Sequence, residues 1–131
     1  MDSPLPPTLS FKSAADRRQH PRFVLQAGYS PLIIRRMDDD RIIEGTAYDI
    51  SRGGMRFEAD EIITPGSQVA VQIDLPGLAE PVIGFMNVVW IEDEEDPAPY
   101  KMASVFAGFA SEEDESRLFA ALAAGRYRAA A

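Results

Sequence analysis

The sequence contains no cysteine and almost no histidine, since His20 is the only one among 131 residues. Without cysteine, disulfides, thiolate nucleophiles and zinc or iron–sulfur sites with cysteine ligands are excluded, while the redox compartment stays open. A hydrolase would have to combine Ser51, Asp49 and His20, and nothing in their spacing supports that arrangement. The acidic residues fall in runs typical of turns, a loop and a helix start, so no metal site is indicated. We therefore predict a protein that is not an enzyme and has no metal or other cofactor.

Long apolar runs are also missing. No segment approaches the roughly 18 apolar residues that cross a bilayer. Residues 1–13 contain three prolines instead of the apolar core of a signal peptide. A chain of this length with 46% hydrophobic residues has enough apolar side chains for one core. These features predict one cytoplasmic domain with no membrane insertion.

Positive charge is scarce over most of the chain. There are 13 Lys and Arg against 21 Asp and Glu, and the net charge is -8. Residues 1–36 nevertheless carry six basic and two acidic side chains, which leaves a net charge of -12 on the remainder. DNA and RNA are disfavoured as partners, because a nucleic-acid-binding barrel needs a basic groove lined with stacking aromatic residues.

Turn residues divide the middle of the chain into short segments that predict an all-β fold. The alternation of apolar and polar residues is clearest over 69–75, and the strand over 82–91 is apolar on both faces, as for a strand covered on both sides. Further strands are predicted over 23–36, with an interruption near Gly28 and Pro31, and over 42–50, 55–57 and 102–106. The segment over 92–99, with five consecutive acidic residues and two prolines, is predicted to form a solvated loop.

One helix is predicted near the C-terminus. Ser111 and Asp114 have the spacing of a capping box, and an apolar stripe follows over 118–122. Gly125 is the predicted end of this helix. The strands and the helix together fit an antiparallel barrel with a helix packed across it.

Three arginines, Arg17, Arg18 and Arg22, lie just before the first predicted strand. Pro21 prevents a continuous helix, and residues 1–15 are rich in proline and poor in large apolar side chains, so we expect a flexible arm. A planar guanidinium can bind two phosphate oxygens or the O6 and N7 edge of guanine. Taken alone, the motif is also explained by a solvated run of charges.

A second motif is the segment Asp-Ile-Ser-Arg-Gly-Gly over 49–54. In an extended strand Asp49 and Ser51 project from one face, while Ile50 points to the core. The carboxylate can accept hydrogen bonds from a base, and the hydroxyl can donate or accept them. Gly53 and Gly54 allow positive φ and a close approach of the backbone to a ligand. A turn built on glycine is the alternative explanation.

Together, Arg-Arg-x-x-x-Arg and the Asp-x-Ser-x-x-Gly that begins 27 residues after Arg22 resemble the PilZ domain family, the bacterial receptors for cyclic di-GMP. The resemblance covers residues 16–124 and leaves 125–131 as a C-terminal tail. It implies a six-stranded antiparallel β-barrel with a C-terminal helix. One departure from the family pattern is Ala103, where the family usually has glycine. We expect this difference to affect strand packing and not ligand binding.

The resemblance implies six ligand-binding residues: Arg17, Arg18, Arg22, Asp49, Ser51 and Gly54. The arginines would bind the guanines and phosphates of cyclic di-GMP, the acid and the hydroxyl would bond a guanine edge, and the glycine would keep the loop open. We assign Trp90 to the core or to a helix contact and leave it out of the site. One or two nucleotides per chain are equally compatible with the sequence.

The resemblance further implies the function of a receptor in motility or biofilm regulation. We expect cyclic di-GMP to change the conformation of the arginine arm and thereby to signal to a protein partner in trans. The alternative is a PilZ-like adaptor that binds proteins and no nucleotide.

Overall fold

The structure is a computed structural model, and it describes residues 21–25, 30–92, 97–124 and 127–129. Within these ranges no helix has the length and apolar character needed to cross a membrane. The described chain forms eight strands and one helix: β1 (Phe23–Val24), β2 (Pro31–Arg36), β3 (Ile42–Ile50), β4 (Gly54–Ala59), β5 (Gln68–Ile73), β6 (Val82–Glu92), β7 (Tyr100–Phe109), α1 (Glu112–Ala123) and β8 (Arg128–Ala129).

Six of the strands close into an antiparallel barrel in the order β2-β5-β6-β7-β4-β3, with β3 pairing back to β2. The predicted strand over 23–36 is divided into β1 and β2, which both pair with β3. The interruption at Gly28 lies outside the described residues. The predicted six-stranded barrel with a C-terminal helix is thus confirmed. Beyond the prediction, β8 from the expected tail pairs with β1.

Alternate residues of the barrel strands fill the core, as the period-two patterns predict. In β5 the side chains of Val69, Val71 and Ile73 are buried. Leu118 and Leu122 of α1 join the same core, and α1 packs against β6 and β7. The strands that carry the predicted site are therefore held from the inside by a continuous apolar cluster.

The strand β6 departs from the expectation of cover on both faces. Ile83, Val89 and Trp90 remain 41%, 40% and 39% exposed. Their exposure means that α1 does not shield the whole outer face of β6. An irregularity in the pairing with β7 lies between Val88 and Trp90. An apolar run in the sequence therefore becomes an exposed apolar surface at the end of this strand.

The helix α1 begins where the sequence predicts it. Ser111 is its N-cap, and its hydroxyl oxygen accepts a hydrogen bond from the Asp114 N–H at 3.0 Å. Asp114 in turn accepts a bond from the Ile83 N–H at 3.0 Å, and Arg117 donates to two carbonyls just before β6 at 2.9 and 3.0 Å. These bonds attach the first turns of α1 to the start of β6. The predicted stop at Gly125 lies outside the described residues.

Candidate ligand-binding cleft

A cleft of about 230 Å³ lies on the barrel surface where β3, β4, β7 and β6 run side by side. Four of the six predicted ligand-binding residues line it: Arg22, Asp49, Ser51 and Gly54. Arg17 and Arg18 lie outside the described residues. Two segments that are 27 positions apart in sequence therefore meet at one surface.

A row of directly opposed residues crosses the four strands at the cleft. Asp49 of β3 pairs with Arg56 of β4, Arg56 with Ala103 of β7, and Ala103 with Trp90 of β6. Opposed side chains of neighbouring strands are about 5 Å apart at Cβ. Because Ala103 is the smallest of the four, it leaves a gap between the guanidinium and the indole.

Ala103 therefore has a place in the candidate site. Ala103 is among the residues that line the cleft, and it is buried. The expectation that this position affects strand packing and not ligand binding stays a prediction, and a larger side chain there would occupy the gap between Arg56 and Trp90.

Pairing irregularities, typical of β-bulges, interrupt two of the strands that contribute to the row. In β3 the register with β4 shifts between Ala47 and Asp49, and in β6 the register with β7 shifts between Val88 and Trp90. A bulge adds one unpaired residue and lets neighbouring side chains leave the strict alternation. As a result both Val89 and Trp90 line the cleft.

Sequence reasoning missed Trp90, which it assigned to the core or to a helix contact. The residue is exposed at the cleft instead. An apolar strand sequence predicts burial. A bulge cannot be recognised from the alternation of apolar and polar residues. The only available signal was the presence of a tryptophan at the polar end of the strand, next to the acidic run.

Asp49 is held by an ion pair with Arg56. The Nε group of Arg56 donates to Oδ2 of Asp49 at 2.7 Å, and Nη2 of the same guanidinium lies 2.6 Å from that oxygen. The Asp49 side chain is only 8% exposed, and its hydrogen bond raises the pKa of Arg56 above the usual value against the opposing effect of burial. No hydrogen bond from a described residue to Oδ1 accompanies these two contacts.

Arg56 is a second residue of the cleft that the sequence analysis did not identify. The signal that could have identified it is its position seven residues after Asp49, on the other strand of the hairpin. Across an antiparallel pair, opposite charges at such a spacing become neighbours. The predicted acceptor and its guanidinium partner therefore form one unit.

Tyr48 extends this charged cluster away from the cleft. The guanidinium carbon of Arg56 lies 5.9 Å from the centroid of the Tyr48 ring, and the Lys101 ammonium lies 5.8 Å from it. Burial raises the pKa of the Tyr48 hydroxyl above its usual value. The ring is thus a neutral neighbour for two cations, at the outer end of the range for a cation–π contact.

The loop between β3 and β4 is closed by its own hydrogen bonds. The Ser51 N–H donates to the Gly54 carbonyl at 2.8 Å, and the Ser51 hydroxyl oxygen accepts from the Gly53 N–H at 3.1 Å. The Gly53 carbonyl accepts from the Phe106 N–H of β7 at 2.8 Å. Ser51 therefore shapes the turn, as the alternative explanation from the sequence proposed, and it also lines the cleft.

Gly54 lies where β4 approaches β7 closely. The described glycines with positive φ are at other positions, so neither Gly53 nor Gly54 uses that conformation. A Cβ atom at Gly54 would collide with the Ser104 carbonyl oxygen and lie 2.9 Å from the Val105 Cα. The structure therefore gives another reason for glycine at this position, the close approach of β4 to β7, and the expectation that Gly54 keeps the loop open stays a prediction.

The same loop contacts α1 through Arg52. Its guanidinium carbon lies 4.2 Å from the centroid of the Phe119 ring, within the range of a cation–π contact. Because Arg52 lies between Ser51 and Gly53, this contact connects the wall of the cleft with the helix.

The charge and size of the cleft limit what it can hold. Among the described residues that line it, Arg22, Arg56 and Asp49 are charged, and their charges sum to +1. Its volume is below the roughly 300 Å³ at which pockets for drug-sized ligands begin. An anion with a planar, hydrogen-bonding group could therefore place that group in the cleft and leave its remainder on the surface. No cluster of three or more metal-ligating side chains occurs among the described residues.

A second cavity, of about 400 Å³, lies between the β2–β3 turn and the segment that leads into β5. It is larger than the cleft, but its charged lining residues, Arg36 and Asp38, form an ion pair with each other at 3.3 Å. This pairing lowers the pKa of Asp38 through the hydrogen bond from Arg36. We regard the smaller cleft as the functional candidate because Arg22, Asp49 and Ser51 meet there.

The PilZ domain family model matches residues 16–124 of the chain. A comparison with curated protein sequences finds no match. Among solved structures, the PilZ domain of YcgR from Escherichia coli with c-di-GMP is 16% identical, with a TM-score of 0.64, over 82% of this chain and 90% of that one.

Two longer proteins also share the fold. The inhibitor of motility MotI (DgrA) from Bacillus subtilis is 20% identical with a TM-score of 0.62, over 84% of this chain and 53% of that one. The K. pneumonia MrkH–c-di-GMP complex is 20% identical with a TM-score of 0.66, over 82% and 51%. This chain therefore corresponds to about half the length of these two proteins.

Proposed function

Because the chain belongs to the PilZ domain family, we propose that it is a receptor that binds cyclic di-GMP at the cleft between β3 and β6. The observation that carries this proposal is the meeting of Arg22, Asp49 and Ser51 at one partly apolar cleft. Further support comes from the two fold relatives, YcgR and MrkH, whose structures contain c-di-GMP.

The proposed contacts follow from the chemistry of the lining residues. Oδ1 of Asp49 accepts hydrogen bonds from the ring N–H and the amino group of a guanine, which present two donors side by side. The guanine ring lies over Ala103 and against the exposed indole of Trp90. Adenine lacks this pair of donors, so the same carboxylate discriminates against it.

The arginines supply the opposite charge for the phosphates. Arg22 reaches the cleft, and we propose that Arg17 and Arg18 bind the same ligand from the preceding segment. A guanidinium suits this role because its fork can bind two phosphate oxygens or the O6 and N7 edge of guanine. Binding then changes the conformation of residues 1–22, and the altered surface is recognised by a protein partner, for example in motility control.

The test is isothermal titration of cyclic di-GMP into the native chain, with cyclic di-AMP and GTP as control ligands. Arg22→Ala is the diagnostic variant. Its matched control is Arg41→Ala, which removes the same charge from an exposed ion pair with Glu61 at the other end of β3. We expect binding of cyclic di-GMP alone, weakened by at least about 1.5 kcal/mol in Arg22→Ala, because a charge-assisted hydrogen bond is lost.

Absence of binding by the native chain would contradict the proposal and would favour an adaptor that binds no nucleotide. Equal weakening by Arg22→Ala and Arg41→Ala would show that the cleft does not hold the ligand. The conformational step is tested separately by amide hydrogen exchange over residues 12–22. Exchange that is the same with and without cyclic di-GMP would remove that part of the proposal.

A further inference from the structure

Arg22 enters the cleft from a very short strand. It directly precedes β1, which consists of Phe23 and Val24 only. On one side β1 pairs with the end of β3, where Phe23 lies opposite Ile50 and Val24 opposite Asp49. The position of Arg22 beside Asp49 therefore depends on whether these two residues stay in the sheet.

The other edge of β1 is covered by β8. Phe23 lies opposite Ala129 and Val24 opposite Arg128 in an antiparallel pairing. Just before β8, the Tyr127 hydroxyl donates a hydrogen bond to the Pro76 carbonyl at 2.8 Å, which attaches this segment to the connection between β5 and β6. As a result β1 is not an edge strand, because β8 covers its second side.

We infer that β8 is a positioning element of the cleft, which keeps Arg22 in place by holding β1 in the sheet. The role in ligand binding rests on the proposed function, whereas the effect of β8 on β1 does not. With two residues, β1 is shorter than most strands of globular proteins and provides few hydrogen bonds to the ladder with β3. Without β8, β1 opens locally and carries Arg22 away from Asp49.

The cost of such opening appears directly in the apparent affinity. If only a fraction of the molecules hold β1 in the sheet, the apparent Kd rises by the inverse of that fraction. A fall of the paired fraction to about one tenth weakens binding about tenfold, without any change to a residue that lines the cleft.

The experiment compares two double variants. In Arg128→Pro with Ala129→Pro, neither residue can donate to the ladder, and both proline rings obstruct the pairing with β1. In Arg128→Ser with Ala129→Ser, the backbone N–H groups remain and the same positive charge is lost. The two variants therefore differ in their ability to form β8 and not in net charge.

Two measurements are made on both variants and on the native chain: amide hydrogen exchange at residues 23–25 without ligand, and the Kd for cyclic di-GMP by titration. For the proline variant we expect faster exchange at these amides and binding that is roughly tenfold weaker than that of the serine variant. The serine variant should show the same amide exchange as the native chain. Its Kd should stay within about threefold of the native value, because the loss of one positive charge is the only change that affects the ligand.

Equal exchange at residues 23–25 in the proline and serine variants would overturn the inference whether or not the ligand binds. Faster exchange with an unchanged Kd would also overturn it, since Arg22 would then not depend on β8. Absence of binding by all three proteins would contradict the proposed function alone, and the exchange data would still decide whether β8 holds β1. Should the proline variant unfold globally, Tyr127→Phe, which removes the hydroxyl that donates to the Pro76 carbonyl, must show the same direction of change in exchange.

Discussion

At the scale of single residues, the acceptor in the cleft depends on the ion pair of Asp49 with Arg56. The carboxylate is almost completely buried, so removing its partner leaves a buried charge without compensation. We expect Arg56→Met to lower the free energy of unfolding by about 1–3 kcal/mol. This loss is smaller than for a fully buried ion pair, because the Arg56 guanidinium is one-third exposed. The measurement is urea unfolding at neutral pH.

Two further variants test the cause of this loss. In Asp49→Asn with Arg56→Met the buried charge is gone as well, so the double variant should be more stable than Arg56→Met alone. Arg41→Met breaks an exposed ion pair with Glu61 at 2.8 Å and should change the stability by no more than about 1 kcal/mol. A double variant that is as unstable as Arg56→Met would mean that the apolar contacts of Arg56, and not its charge, are what matters.

Ala103 provides a second prediction at this scale, because it lines the gap between Arg56 and Trp90. Ala103→Leu places three additional carbon atoms in the cleft, and we expect binding of cyclic di-GMP to weaken at least about tenfold, the loss for one buried contact of about 1.4 kcal/mol. The control is Ala107→Leu, the same change at an exposed position of β7. Titration of both variants is the measurement, and equal affinities would exclude Ala103 from the site.

Secondary-structure elements show where sequence reasoning reached its limit. Alternation predicted the core face of β5, and Ser111 predicted the start of α1, because both patterns are local. The bulge in β6 depends on the pairing with β7, so the apolar period gave no sign that Trp90 would be exposed. The pairing of β8 with β1 depends on a contact between the two ends of the described chain, which no local pattern records.

The attachment of α1 makes a prediction at the scale of the element. The Ser111 hydroxyl, followed by the Ile83 N–H and Arg117, lowers the pKa of Asp114 below its ordinary value of 3.8. A carboxyl group whose pKa is lower in the folded state stabilises the fold above its ordinary pKa, and this contribution is lost as the pH falls through the folded value. We expect Asp114→Asn to be less stable than the native chain near pH 6, and this difference to shrink toward about pH 2.

The measurement is urea unfolding of both proteins at several pH values in that interval. Glu112→Gln is the control, since it removes one charge from the same helical turn of α1. A stability difference for Asp114→Asn that is independent of pH would show that its hydrogen bonds act through geometry and not through its charge.

At the scale of the whole molecule, the six-stranded barrel and the meeting of Arg22 with Asp49 and Ser51 could be predicted because two short motifs matched one family. The family resemblance did not reveal what surrounds them. Arg56, Ala103 and Trp90 complete the row across the strands, and they became neighbours only through the register of four paired strands. The two motifs thus identified Arg22, Asp49 and Ser51. The shape of the cleft, in contrast, depends on which residues the paired strands place side by side.

The uneven distribution of charge leads to the final prediction. Residues 1–36 have a net charge of +4, and the remainder of the chain has -12, so an anionic ligand is attracted by the arginines and repelled by the barrel. In the proposed complex the arginines are closest to the ligand, and we therefore expect the attraction to dominate. Added salt should weaken binding of cyclic di-GMP, because the Debye length falls from about 10 Å at 0.1 M to about 3 Å at 1 M.

Titrations at about 0.05 M and about 0.5 M KCl measure this effect, with Arg22→Ala as the control that should depend less on salt. If the affinity is equal at both salt concentrations, long-range electrostatic attraction does not contribute to binding. The arginines would then act only through short-range hydrogen bonds. Tighter binding at high salt would mean that repulsion from the acidic barrel exceeds the attraction of the arginines. In that case the acidic body, and not the arginine segment, would set the ligand concentration at which the receptor responds.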